Sequence, residues 1–344
     1  MIRVHFPKSI AGEDELEIVP AVRGGMAEYR ETPWNRRFRQ LFEKAQQCFT
    51  AVPPEHADVV FYPHEYRAHS HSREVINAAR ARGLPLIFIK TGDLPSAVEV
   101  PYGVVYRHSI FGNDRLPCER AMPAFCEDML SEHGGTVPIA PKSTRPSVGF
   151  CGYVSNRPMR LAYRLMGRQR KADGLDLRAR LLELLQKSVG VDCEFVRNDR
   201  FLGGRDGVGN ADASVAAKVR SDFVQSVLGS NYTLSVRGAG NFSYRFYEVL
   251  SAGRVPLYLN TDGVLPYHDE VDWKKHCVWI EEDEIHRVGE KLVEFHQNTS
   301  DEEFAQLQTR NRQLWESYLT PLAFYRRAFE RAIVDSGRAT RAVG

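Results

Sequence analysis

The stretch SVRGAGNFSYRFYEVLSAGRVPLYLNTDGVLPYHDEVDW, residues 235–273, decides the fold. It opens on the end of one apolar run, YTLSVR (232–237), and contains a second, VPLYLN (255–260). Both read as buried strands, and 243–252 between them has room for one short helix. Strand, helix and strand in succession make a βαβ unit, which favours a mostly parallel sheet with helices on its faces. The turn Arg237-Gly238-Ala239-Gly240-Asn241 joins the first strand to the helix. Glycines let a backbone approach a ligand closely, and a helix start presents unpaired N–H groups at the positive end of the dipole. Such a place suits an anion, most often phosphate.

Two arginines sharpen this reading. Arg237 at the strand end and Arg245 in the first helical turn sit where a cation is unfavourable by up to about 1 kcal/mol. An anion among them removes the conflict. Glu248 stands three residues after Arg245 on the same helix face, placed to accept from ribose hydroxyls or to pair with Arg245. Gly238, Gly240, Asn241, Ser243 and Tyr244 complete a candidate nucleotide or sugar-phosphate site. A nicotinamide dehydrogenase is a poor alternative. It requires GxGxxG in the first βα unit and an acid about 20 residues on, whereas Gly238-Ala239-Gly240 is followed by Ser243 and lies in the second half of the chain.

The same rhythm extends outward. IRVHF (2–6), ADVVFYP (57–63), LPLIFIK (84–90) and VPYGVVYRHSIF (100–111) read as strands, with a helix over 35–49 and another from Ser72, its N-cap, to Gly83. Five prolines between 117 and 146, with Gly134-Gly135, mark a domain crossing. Beyond it, SVGFCGYV (147–154) and VDCEFV (191–196) are strands, RARLLELLQK and SDFVQSVLGS (221–230) helices, and FLGGRDGVGNADA (201–213) a polar, mobile loop. Ser300 and Glu303 form a capping box, and Thr320-Pro321 starts a last helix. The expected domains are 1–140, 141–320 and a C-terminal helix and tail, 321–344, returning to the first domain.

Composition limits the function. Of 344 residues 43% are apolar and 26% charged, with net charge +2, so a folded core is expected and nucleic acid is not. No apolar run approaches the roughly 18 residues of a membrane span, and with the polar turn after residue 6 no secretory leader is expected. Six scattered cysteines without CxxC read as reduced thiols. A cytoplasmic, at most membrane-peripheral, protein is expected. His64-Glu65-Tyr66-Arg67-Ala68-His69-Ser70-His71 is not HExxH, and no DxD follows an apolar strand, so no metal is expected. Residues 269–272 and 281–284 read as solvated acidic faces. The basic stretch Arg157–Lys171 and the C-terminal Arg326, Arg327, Arg331, Arg338 and Arg341 read as solvated helix faces, with an anionic lipid surface or acidic glycan as the alternative.

Residues 235–273 closely resemble the donor-binding half of the exostosin glycosyltransferases (family 47), which carry RGxGNxSxRFYExLxAGRxPV, then TDxVLP and a DW pair. Here these stand as RGAGNFSYRFYEVLSAGRVPL, Thr261–Pro266 and Asp272-Trp273. ADVVFYPHEY (57–66), LIFIKTGD (86–93) and SVGFCGYVSNRPMR (147–160) are similar to other family segments, the last with Arg160 in the place of a family arginine. The resemblance implies a GT-B fold, two Rossmann-like domains facing across a cleft. It also implies inverting transfer from a nucleoside-diphosphate sugar, above all a UDP-sugar, to a glycan or lipid-linked glycan, with no metal. The general base would come from the first domain. Asp93 and Glu65 both follow strand ends, where ligands of open α/β sheets bind, and His64 is a third candidate. Asp93 matches a family acid, although Gly92 replaces the histidine before it. A GDP-fucose-type GT-B transferase and a catalytically inactive sugar-binding module are the alternatives.

Overall fold

Two parallel sheets organise the chain, one in each of two units. In this computed structural model, residues 1–32, 34–94, 96–131, 134–198 and 213–337 are described. The glycine-rich loop over 201–212, Arg338 and Arg341 lie outside them. The first unit takes Met1–Glu127, Val264–Pro266 and the chain from Ser317; the second takes Asp128–Gly263 and Tyr267–Glu316.

The first unit holds β1 (Ile2–His5), α1 (Ile18–Gly24), α2 (Arg39–Cys48), β2 (Phe49–Ala51), β3 (Val59–Glu65), α3 (Ser70–Ala81), β4 (Leu86–Lys90), β5 (Val104–Arg107) and β6 (Glu119–Ala121). The sheet order is β2-β1-β3-β4-β5-β6, every pairing parallel. Six of the seven residues of β3 are buried, as expected for a strand covered on both faces. One expectation shifts. Helix α3 starts before Ser72, because His69 is the N-cap: its Nδ1 accepts the Ser72 N–H at 3.3 Å while Ser72 Oγ accepts the His69 N–H at 3.1 Å. An imidazole here fills a role that hydroxyls and carboxylates usually hold. The three-residue strands β2 and β6 are too short to carry a periodic signal.

The second unit holds β7 (Ser147–Tyr153), α4 (Arg157–Leu165), α5 (Gln169–Lys187), β8 (Asp192–Asn198), α6 (Ala213–Gly229), β9 (Tyr232–Ser235), α7 (Tyr244–Ser251), β10 (Val255–Asn260), β11 (Val278–Glu281), α8 (Val288–Asn298) and α9 (Asp301–Leu314). Its order is β11-β10-β9-β7-β8, again parallel throughout. Phe150, Leu182, Leu185, Leu234, Leu257 and Leu292 sit at the centre of its core. Ser300 and Glu303 cap α9 reciprocally, as the sequence indicates.

The division falls at Glu127/Asp128, before the 140/141 boundary expected from the prolines. Residues 128–140 are bonded into the second unit. Asp128 takes both ends of the Arg312 guanidinium at 2.6 and 2.8 Å, and Ala140 N–H donates to Gln308 Oε1 at 2.9 Å. The last helix, α10 (Pro321–Asp335), packs on α2, β3 and β4 of the first unit, where Phe329 meets Phe49 and Phe61 edge-on. Among the described residues no helix is long and apolar enough to cross a membrane.

Candidate functional site

Strand order locates the site before any side chain does. From β7 the chain moves outward to β8, then crosses back to β9 on the other side. Ligands of open parallel sheets bind at the carboxyl ends of strands where the order reverses. In the second unit that point lies between β7 and β9, and the turn 237–241 leaves β9 there. Asn241 is buried and holds the turn to the end of β10. Its Nδ2 donates to Thr261 O at 3.0 Å and its Oδ1 accepts from Thr261 Oγ1 at 2.6 Å. Ser243 is the extended N-cap of α7, and its hydroxyl makes no capping bond. Tyr244 is exposed and Gly240 buried. Helix α5 lies directly on the turn, since a Cβ at Gly174 would stand 2.1 Å from Gly238 O.

Two arginines converge on β7 from different helices. Arg245 of α7 donates from Nη2 to Cys151 O at 2.7 Å, and Arg178 of α5 from Nη1 to Tyr153 O at 2.9 Å. They share Phe150, their guanidinium carbons 4.5 and 5.9 Å from its ring centroid. Each Nε is buried without a hydrogen-bond partner. Desolvation pushes the Arg178 guanidinium down to about 9, and the Arg245 charge acts in the same direction. Desolvation also lowers Arg245, opposed by Glu248 and Cys151. Glu248 accepts from Arg220 Nη1 of α6 at 3.0 Å, so its ion pair is with Arg220. Glycine at 152 makes room: a Cβ there would meet Arg245 Nη2 at 2.6 Å.

The other two arginines named from the sequence stand apart from this pair. Arg237 donates to Gly238 O at 3.2 Å and lines a cavity of about 500 Å³ with Arg157, Arg160, Arg180, Asp176 and Glu282. Arg160 is ion-paired with Asp176 and donates to Ser155 O. Arg178 was absent from the sequence reading. It belongs to RARLLELLQK, which reads as an amphipathic helix, and only the crossing of α5 over β7 brings it to Arg245.

The first unit reverses strand order between β1 and β3. His64 is buried at the end of β3, where its Nε2 accepts the Ile10 N–H at 2.8 Å and its Nδ1 donates to Asp14 O at 2.9 Å. Both ring nitrogens are therefore engaged in holding the loop after β1. Glu65 lies 3.6 Å from Lys90 Nζ. Asp93 is exposed in the loop after β4. That loop is anchored by a fully buried ion pair, Arg107 with Glu119, from which Arg107 Nη2 reaches Leu94 O at 2.7 Å. Sequence reasoning missed Glu17, the N-cap residue of α1. Desolvation raises its carboxyl above the usual range, opposed by its own backbone N–H and Arg37 and reinforced by Glu65 and Asp14. Nothing in the polar run EDELE marks it in advance. A cavity of about 350 Å³ lined by Lys8, Glu13, His69 and His71 lies beside these residues.

Two parallel α/β units, each with a crevice at a reversal of strand order, define a Rossmann-like fold of the GT-B type. The chain is exostosin-like. It is 30% identical over 99 residues to Exostosin-1 of Drosophila melanogaster, covering 29% of this chain and 12% of that protein. It is 26% identical over 100 residues to the Exostosin-1 homolog of Caenorhabditis elegans, covering 29% and 25%, and 28% identical over 101 residues to Exostosin-1a of Danio rerio, covering 29% and 13%. The chain thus spans a quarter or less of the length of these relatives. No family model matches it.

Proposed function

We propose that this protein is an inverting glycosyltransferase that takes its sugar from a nucleoside-diphosphate sugar, a UDP-sugar first among them, and passes it to a glycan or lipid-linked glycan acceptor. The observation that carries the proposal is the pair Arg178 and Arg245 at the β7/β9 reversal. Two guanidinium groups share one aromatic ring, with buried Nε atoms that lack partners. Folding alone does not favour that arrangement, because like charges in a poorly solvated place repel. A diphosphate satisfies it, since guanidinium forks match phosphate oxygens geometrically as well as by charge.

The chemistry follows from charge. As the glycosidic C–O bond breaks, negative charge grows on the departing diphosphate, and fixed cations there stabilise the transition state more than the ground state. With that charge met by arginine and the uncapped N–H groups of α7, no metal ion is required. A carboxylate of the first unit removes the proton of the acceptor hydroxyl, and Asp93 is our candidate because it is exposed and at a strand end. The direction of the resemblance, and not the geometry, selects UDP over GDP.

The test is thermal unfolding of the full chain with UDP, GDP, CMP and dTDP. A nucleotide at 100 times its Kd adds about 2.7 kcal/mol of stability. We expect UDP to protect the protein in EDTA, and Arg245→Ala to lose the protection while its own unfolding stays cooperative. Undiminished UDP protection in Arg245→Ala would remove the site from 237–248. Protection by GDP alone would favour the GDP-fucose-type alternative.

A further inference from the structure

Helix α4 is amphipathic in an inverted sense. Its sequence, with the residues that follow, is RPMRLAYRLMGRQRK, 157–171. Successive side chains of a helix are 100° apart, so Arg160 and Arg164 share one side, Leu165, Ala162, Met166 and Met159 spread over the opposite one, and Leu161 stands at the border beside Arg157. Such a helix normally buries its apolar stripe. Here the arginine side faces the protein: Arg160 and Arg164 pair with Asp176 of α5, and Arg164 also with Asp173 at 3.4 Å. The apolar side faces solvent. Met159 is 44% exposed, Leu161 57%, Leu165 81% and Met166 59%, and no residue of α4 is buried. Single exposed leucines need no explanation, but four large apolar side chains within eight residues mark a surface that something covers.

Charge says what covers it. Residues 155–172 contain five arginines and one lysine and no carboxylate. With Arg160 and Arg164 paired to Asp173 and Asp176, the described cations outside those pairs are Arg157, Arg168 and Lys171. Arg157 at the start of the helix and Arg168, three residues past its end, are exposed, and Lys171 lies 4.5 Å from the Tyr163 ring centroid. A second copy of this chain is a poor occupant, because a two-fold interface would set this basic surface against itself. A convex helix with leucine and methionine between basic ends fits the boundary between headgroups and acyl chains of an anionic bilayer. There the apolar side chains enter the acyl region and the cations stay at the headgroups. We propose that α4 docks this protein on the surface of an anionic lipid membrane, Met159, Leu161, Leu165 and Met166 entering it and Arg157 and Arg168 meeting its headgroups. This inference does not rest on the donor-site reading, although Arg157 also lines the cavity beside Arg237.

The experiment is flotation of the full chain with two kinds of vesicle, phosphatidylcholine alone and phosphatidylcholine mixed with phosphatidylglycerol. We expect binding to the mixed vesicles only, weakened by added salt. The triple variant Leu161→Gln, Leu165→Gln, Met166→Gln should lower the bound fraction by roughly tenfold or more. Because those side chains are exposed, its melting temperature should match the parent's, and Arg157→Gln with Arg168→Gln provides a second variant with weaker binding. Equal flotation of the parent and both variants would overturn the proposal, as would absence of flotation with either vesicle. A parent that self-associates where the triple variant is monomeric would overturn it in favour of a contact between copies.

Discussion

The two crevices are built from the same topology and filled with opposite chemistry. In the second unit, the carboxyl edge carries guanidinium groups fixed on strand carbonyls, with Arg178 and Arg245 astride Phe150 and little counter-charge of their own. In the first unit, the corresponding edge carries carboxylates and imidazoles, and most of these are already engaged. His64 holds a loop through both nitrogens, His69 caps α3, Glu65 pairs with Lys90, and Asp93 stands exposed. A strand-order reversal provides a place for a ligand; the side chains around it decide which ligand. Guanidinium groups held on strand carbonyls, with buried Nε atoms that lack partners, suit an anion, whereas an exposed carboxylate at a strand end is open to a polar substrate.

The sharpest test of this contrast concerns the base. Asp93→Asn is nearly isosteric, so donor protection and stability should persist while transfer falls by roughly 10²–10⁴-fold. Glu65→Gln and Glu17→Gln are compared alongside it in a kinetic assay with the donor that the nucleotide screen selects. If either of them, and not Asp93→Asn, produces the loss, the base belongs to the loop after β1 or the end of β3. Glu17 then has the stronger case, because its raised carboxyl is better matched to proton abstraction near neutrality.

A second effect separates the units by acid. His108, buried just after β5, has its imidazole pushed down to about 4, first by desolvation and then by the Arg37 charge, with the Pro123 backbone carbonyl opposing as acceptor. An unfolded histidine titrates near 6.5. Between these values the unfolded chain binds the extra proton, so stability falls as pH drops from about 6.5 to 4 and levels off below. The loss from this one group is about 3 kcal/mol at most. Denaturant midpoints at pH 7.5 and 4.5 should therefore differ by less in His108→Asn than in the parent. His276 and His296 of the second unit are also lowered by desolvation and should leave a residual slope. An unchanged difference in His108→Asn would mean that the acid sensitivity lies outside the first unit.

The smallest expected effects distinguish two glycines of the donor side. Gly174→Ala sets a methyl against the backbone oxygen of Gly238, and overpacking of this kind costs about 1–3 kcal/mol. Gly152→Ala meets Arg245 Nη2, the end of a long side chain that can move at the cost of its bond to Cys151 O. Stability of Gly152→Ala should therefore change little, while nucleotide protection weakens because the guanidinium has moved. Equal protection in Gly152→Ala and the parent would show that Arg245 need not hold its observed position to bind the anion.

Read alone, the sequence determined the βαβ alternation, both main sets of strands, the Ser300/Glu303 capping box and the turn 237–241. Each of these rests on local physics: apolar runs of strand length, glycine and proline at breaks, and paired side chains at helix starts. Arg245 was legible for the same reason, as a cation in the first turn of a helix. What only the tertiary structure decided concerns residues far apart in the chain. Arg178 joins Arg245 because α5 crosses β7, Glu248 turns to Arg220 because α6 lies beside α7, and Asn241 is a clamp because β10 ends next to the turn. His64 is a latch and not an open base because the loop after β1 closes on it. Charge partners and burial are properties of packing, and no periodicity along the chain encodes which helix will lie across which strand.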